Sequence, residues 1–353
     1  MNTHYLAVWK LYGINTLASG ATNLELARLN DPKIVATLAT DPEPFFLHID
    51  QARVIASQVL NGLLSSLAQQ DTIEERLAIE LKNVRTNRAN QIGSGMFLIV
   101  KGETNVAEPN FEIRKDTETL AVCFDAIDKS AIKEIFRPSI QAVLTAITLS
   151  IPSDADHQIE PIGEVIYLVG ADGKKPIYSF SLQMGSARLS LSSPLSAAAL
   201  SNATKWIPRL VDYENLARPI SLAVTSIDRT TDSLQGFLAA WSALEIFVNV
   251  TFKERYNSLW HDAMQTGAPD AARPIFRRIN EVMSDKYRLT DKFLLIASLL
   301  NTGAAEADAR EFGTLKKVRD NLLHGQPTAH LPTEAVHHLL FKYISLHLDR
   351  IKG

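Results

Sequence analysis

The chain has 353 residues, more than one ordinary domain and short for three, so two domains is the natural expectation. A net charge of −3 excludes a globally basic nucleic-acid binder and leaves such contact to a local patch or a composite surface. Cys123 is the single cysteine, which excludes an intramolecular disulfide framework and a cysteine-rich zinc site and suits a reducing cytoplasm.

The N-terminus MNTHYLAVWKLYG lacks a basic region followed by a long apolar run, and the apolar stretches are broken well short of a bilayer span. Neither a signal peptide nor a membrane helix is therefore expected. Residues 1 to about 92 read as mostly helical after an irregular start. Pro42 and Pro44 punctuate a loop, and Ile49 to Gln70 carries Val59, Leu60, Leu63, Leu64 and Leu67. Thr72 reads as the start of a helix with a capping box to Glu75, and Ile73, Leu77, Leu81 and Val84 form its stripe. Ile92-Gly93-Ser94-Gly95-Met96 has glycines like a phosphate loop but no preceding strand, and reads as a linker.

Period then changes. Met96–Val100 and Leu120–Phe124, the latter holding Cys123, read as strands. A helix is expected with Ile132, Ile135, Phe136, Ile140, Val143, Leu144 and Ile147 on its apolar side, with Pro138 as a kink or boundary. Glu164–Val169 and Ile177–Gln183 form a strand pair around a turn at Ala171–Pro176, where Gly173 is free to take positive φ. A Ser/Ala-rich segment, Ser186–Ala203, supplies a strand end, a loop and a small-residue helix. From Tyr213 onward only helices are expected, at about 216–229, 232–253, 270–284, 289–301, 306–324 and 333–350. The fold class is an α+β domain over residues 1–205 followed by an all-α domain over 213–353, divided between Ala203 and Leu216.

Chemistry concentrates in Lys316-Lys317-Val318-Arg319-Asp320-Asn321-Leu322-Leu323-His324-Gly325. Leu315, Val318, Leu322 and Leu323 give a helix its apolar side, Gly325 suits the residue after the cap, and Pro327 prevents continuation. His324 falls in the last turn, where the helix dipole favours the protonated imidazole. Asp320, four residues earlier, is placed to orient it. A histidine near neutral pKa can move protons and a permanent guanidinium can hold a phosphate, a pairing suited to phosphodiester chemistry without a metal. Five residues correspond to about 140° of rotation on an ideal helix, so the two side chains share a face only if the last turn loosens or a second copy completes the site.

This Arg-polar-x-x-x-His-Gly helix end, followed by one more amphipathic helix, resembles the signature of HEPN-domain proteins. Phe237-x-x-x-Trp241-Ser242-Ala243-Leu244-Glu245-Ile246-Phe247 is similar to the early helix of that domain, and Asp291-Lys292-Phe293 with its apolar run to the middle one. The resemblance, confined to the C-terminal third, implies an HEPN-like bundle and an RNA-cleaving module of the kind found in bacterial toxins and phage-defence proteins. It implies Arg319 and His324 as the catalytic pair. Asp320 stands where asparagine is more usual, Glu245 matches an acidic residue that some members place near the arginine, and Asn321 counts with it as supporting. It further implies attack by a ribose 2′-hydroxyl without metal or cofactor, a homodimer that pairs two motifs, and a phage-derived or cellular trigger. The alternative is an inactive HEPN-like module that binds nucleotide or RNA or serves to dimerise.

Lys317 and the patch Arg273, Arg277 and Arg278 are the RNA-binding candidates of the helical domain. Arg76, Lys82, Arg85 and Arg88 give the N-terminal domain a basic, solvated helix side that is its best surface for nucleic acid. His330, His337, His338 and His347 lack an HExxH-type spacing and read as a solvated helix face rather than a metal site. No GxSxG is present, so a hydrolase elbow is not supported.

Overall fold

The computed structural model describes residues 2–17, 20–47, 49–50, 54, 70–105, 113–114, 121–122, 128–151, 158–169, 176–183, 193–227, 232–283, 286–326 and 331–351. These form an N-terminal α+β region followed by an all-helical C-terminal bundle. The chain divides into two compact units, one of Met1–Val143 with Asp154–Thr204 and a second of Leu144–Ser153 with Lys205–Gly353.

The expectation of a mostly helical N-terminus is overturned. Four strands occupy it: β1 (Asn2–Tyr12), β2 (Ile14–Leu17), β3 (Asn23–Asn30) and β4 (Lys33–Ala39). Helical residues 43–47 and 49–50 (α1) come next, then α2 (Gln70–Ile92). After these come β5 (Met96–Asn105), the short pair β6 (Ile113–Arg114) and β7 (Ala121–Val122), α3 (Lys129–Ser150), β8 (Gln158–Val169), β9 (Pro176–Gln183) and β10 (Ser193–Leu195). Six strands make one antiparallel sheet in the order β3-β4-β5-β1-β8-β9.

The sequence hid β1 for a physical reason. It is an interior strand, so Leu6, Ala7 and Val8 are all buried and the in–out alternation of a half-buried strand is absent. In β3, a bulge between Glu25 and Ala27 breaks the alternation of a segment rich in good helix formers. Pairing with β4 overrides that local preference.

One sheet face buries Leu6, Val8, Phe97, Ile99 and Val165 against Phe46 and Ile49 of α1. On the other, Phe136 of α3 stacks on Tyr5 with ring centroids 5.0 Å apart and sits over Gly102, where an added Cβ would lie 2.4 Å from the ring. α3 continues past Pro138, so that residue is no boundary.

Several local expectations meet a different outcome. Thr72 lies inside α2 rather than at its cap, because the helix already includes Gln70. Gly93 (φ 60°) and Gly95 (φ 150°) turn the chain from helix to strand around Lys10, whose ammonium donates to the Ile92 carbonyl. That order is the reverse of a phosphate loop. Arg88 does not stand on a solvated helix side: its side chain is 14% exposed, pairs with Glu43 and the buried Asp50, and stacks on Phe46 at 4.2 Å. Lys82 remains exposed and Arg85 half-buried. The apolar residues expected at 59–67, Cys123, the turn at 171–175 and the Arg76 side chain lie outside the described residues.

The helical unit follows the sequence closely. α4 (Ala197–Asp212) leads to α5 (Ala217–Ile227), α6 (Ser233–Thr251), a π-helical turn (Phe252–Tyr256) and α7 (Asn257–Gly267). A 3-10 turn (Asp270–Ala272) opens α8 (Arg273–Met283), and α9 (Leu289–Leu300), α10 (Ala305–Leu323) and α11 (Thr333–Arg350) complete it. α7 was not expected. It continues from α6 through the π-helical turn, and none of its residues is fully buried. The run Ser233–Gly267 is long and apolar enough by composition to cross a bilayer, but half of its most apolar stretch is buried in the bundle. That is the composition of a core helix.

α6, α9, α10 and α11 share one aromatic core. Phe293 stacks on Phe312 at 4.3 Å, Trp241 lies 5.3 Å from Phe312 and Tyr343 4.9 Å from Phe293. The buried Asp308 ties α10 to α11, accepting from Lys342 at 2.7 Å and from the Tyr343 hydroxyl at 2.6 Å.

Candidate functional site

The three segments that carried the resemblance meet in this core: Trp241 and Glu245 on α6, Phe293 on α9, and the Arg319 helix α10. Phe312 and Leu315 anchor the buried side of α10 and so fix which way its last two turns face. Arg319 is only 19% exposed. Its Nη2 donates to Glu245 Oε2 at 3.0 Å, its Nη1 to Asp320 Oδ1 at 2.8 Å, and its guanidinium carbon lies 5.4 Å from the Trp241 ring centroid. The Trp241 indole N–H donates to the same Glu245 oxygen at 3.0 Å. One carboxylate thus holds both the indole and the guanidinium.

The second Asp320 oxygen accepts from Lys316 Nζ at 2.7 Å. That bond, with the nearby charges of Arg319, Lys316 and His324, holds the Asp320 carboxyl below its usual range against a smaller desolvation effect. The expected orientation of His324 by Asp320 takes a different form: the carboxylate turns to Lys316 and Arg319, and among the described residues no side-chain hydrogen bond joins it to His324. What does link them is the backbone, His324 N–H donating to the Asp320 carbonyl at 3.1 Å.

The helix ends as its sequence predicts. Gly325 takes φ 73°, its N–H donates to the Leu322 carbonyl and that of Gln326 to the Asn321 carbonyl, each at 3.0 Å. This is the Schellman closure, which satisfies two orphaned carbonyls and needs a left-handed residue at that point. His324 caps the helix with φ −90° and ψ 11°, already off the helical path, and is exposed. Leu323 beside it is 64% exposed. Asn321 is half-buried and contributes its carbonyl to the closure.

Lys317 is exposed on the same helix. Arg273, Arg277 and Arg278 are exposed on α8, which packs chiefly on α7, so they belong to a different surface element from Arg319 and His324. Arg273 is paired with Asp270 at 2.8 Å.

The histidine-rich tail is not the solvated face expected of it. His347 is 2% exposed and bonds the Tyr256 hydroxyl through Nδ1 at 2.7 Å, among Tyr213 and Phe247. His337 bonds Ser226 Oγ through Nε2 at 2.6 Å and stacks on Phe341. Burial pushes both down to about 4, the charge of Arg255 adding to the effect at His347. α11 packs against α6, α9 and α10, which draws His337 and His347 into the bundle; His338 stays exposed, and His330 lies outside the described residues. Among the described residues no cluster of three or more His, Cys, Asp or Glu is placed to hold a metal ion.

Two partners escaped the sequence reading. Lys316 was legible as the residue four before Asp320, the spacing of a helical ion pair. The indole of Trp241 as a shelf for Arg319 had no local signal, since 78 positions separate them in the chain. Set against family models, curated proteins and solved structures, the chain matches none of them.

Proposed function

We propose that this protein is an endoribonuclease of the HEPN type, a toxin or phage-defence effector, whose site is built on Arg319 and His324. The observation that carries the reading is the contrast between them. The guanidinium is fixed by Glu245, Asp320 and the Trp241 ring, whereas the imidazole stands exposed at the helix end with no side-chain hydrogen bond among the described residues. A fixed cation and a solvent-facing acid–base group carried at one helix end are the components that phosphodiester transfer requires.

In that chemistry an imidazole takes the proton of a ribose 2′-hydroxyl and the 2′-oxygen attacks phosphorus. The bond to the 5′-oxygen breaks, and a second group returns a proton to it, leaving a 2′,3′-cyclic phosphate and a 5′-hydroxyl. Arg319 balances the charge that develops on the phosphoryl oxygens. One His324 per chain supplies one of the two proton-transfer groups, so a second copy of the chain supplies the other. Lys317 on the same helix is suited to hold flanking phosphates.

A second reading has its own observation. Arg319 already spends its donors on two carboxylates, and Asp320 is further tied to Lys316. Such a network can serve only to lock α10 to α6 in an inert dimerisation or RNA-binding module. The two readings separate on incubating the full-length protein with end-labelled RNA in EDTA. Cyclic-phosphate termini support the ribonuclease; RNA retention without new termini supports the binding module.

A further inference from the structure

Helix α8 keeps an apolar stripe in solvent: Ile275 is 62% exposed, Ile279 49% and Val282 54%. At about 100° per residue the three fall within about 60° of one another. Among the described side chains, every other helix with a large exposed apolar residue has a single one. The half-buried Phe276 borders the stripe on one side, and α8 packs on α7. On the other side come Arg278 and then Glu281, both exposed, about 60° and 120° round from Ile275. Arg273 and Arg277 lie behind, about 160° away.

The charges say what covers this face. A phosphate backbone or an anionic lipid surface laid on the stripe would leave Arg273 and Arg277 pointing away from it. The flank that does border the stripe carries one positive and one negative residue, three positions apart. In an antiparallel pair of identical helices, each flank meets the same flank of its copy. With the two-fold axis at Ile279, Ile275 stands within one residue of Val282 of the copy, and Arg278 within one residue of Glu281.

We propose that α8 is a self-association surface on which a second copy packs antiparallel, burying the Ile275–Ile279–Val282 stripe against itself. Each Arg278 pairs with Glu281 of the other copy. This surface rests on the reading that a second copy completes the site and names the contact that holds that copy. It is read by particle mass and the cleavage chemistry by RNA termini, so a dimer indifferent to Ile279→Glu removes the surface alone.

The test is the mass of the full-length protein by sedimentation at micromolar concentration, with circular dichroism as the control for folding. Wild type sediments at twice the chain mass, and Ile279→Glu at the chain mass. Arg278→Glu weakens association by roughly tenfold, since two exposed ion pairs become two repulsions. The double swap Arg278→Glu/Glu281→Arg restores it. In a Cys123→Ser background, Ile279→Cys oxidises to a covalent dimer through its own counterpart. The proposal is overturned by a wild-type monomer at tens of micromolar, or by a dimer indifferent to Ile279→Glu. Equally fatal is a double swap no better than the single reversal, or a monomer whose stripe binds anionic vesicles or RNA instead.

Discussion

The Arg319 guanidinium and the Glu245 carboxylate meet at 3.0 Å across 74 positions of chain, joining α10 to α6 beneath the helix end that carries His324. The same carboxylate accepts from Trp241, so the position of Arg319 is set by the bundle core rather than by its own flexible side chain. This changes what mutation of the pair should do, because the two residues no longer stand on an equal structural footing.

Arg319→Ala removes two charge-assisted hydrogen bonds and a ring contact from a largely buried position, and we expect a loss of about 1–3 kcal/mol. His324→Ala removes an exposed side chain and should cost about 0.5–1 kcal/mol at most. Urea titrations of the two variants check the difference. Equal losses would place His324 in packing contacts that the structure does not show.

Gly325→Ala tests the helix end alone. A Cβ there meets no atom within 4 Å, so the whole cost is that of a left-handed residue at φ 73°, about 1–2 kcal/mol. Gly102→Ala is different in kind: φ is ordinary, but the new Cβ would lie 2.4 Å from the Phe136 ring, and displacing that ring should cost about 1–3 kcal/mol. Phe136→Leu should partly rescue Gly102→Ala in a double-mutant cycle and leave Gly325→Ala unaffected.

Much of the helical half was legible because its signals were local. Gly325 after Leu322 and Leu323, and the stripes of α9 and α11, place helix boundaries within a residue or two of those observed. The N-terminal sheet was not legible, since β1 is buried on both faces and β3 is interrupted by its bulge. In the site, the spacing of Arg319, Asp320 and His324 could be read, but the direction of the Asp320 carboxylate could not. It is decided by Lys316 and Arg319 competing with His324, and a sequence does not rank such competitors.

The buried histidines make stability pH-dependent. His337 and His347 are lowered to about 4 in the folded chain, against about 6.5 when unfolded. The unfolded state therefore binds more protons between these values, so their contribution is intact above about pH 6.5 and falls away as pH drops toward 4. Each accounts for about 3 kcal/mol over that window at most. His347→Gln should be less stable than wild type at pH 7 yet lose less on going to pH 4.5. A parallel pair of curves would remove His347 from the acid transition.

Asp308→Ala strands Lys342 and the Tyr343 hydroxyl around a buried position and should cost about 3–5 kcal/mol. Asp308→Asn keeps the shape and one acceptor and should lose less. A loss under about 1 kcal/mol in Asp308→Ala, by thermal and urea unfolding, would mean that the α10–α11 clamp does not hold the motif helix in place.

The central claim is that His324 moves protons during RNA cleavage, and single-turnover cleavage of end-labelled RNA in EDTA tests it most directly. Wild type should leave 2′,3′-cyclic phosphate ends. His324→Ala, with a melting temperature near that of wild type, should cleave about 10²–10⁴-fold more slowly. A folded His324→Ala protein that cleaves at the wild-type rate would contradict the account.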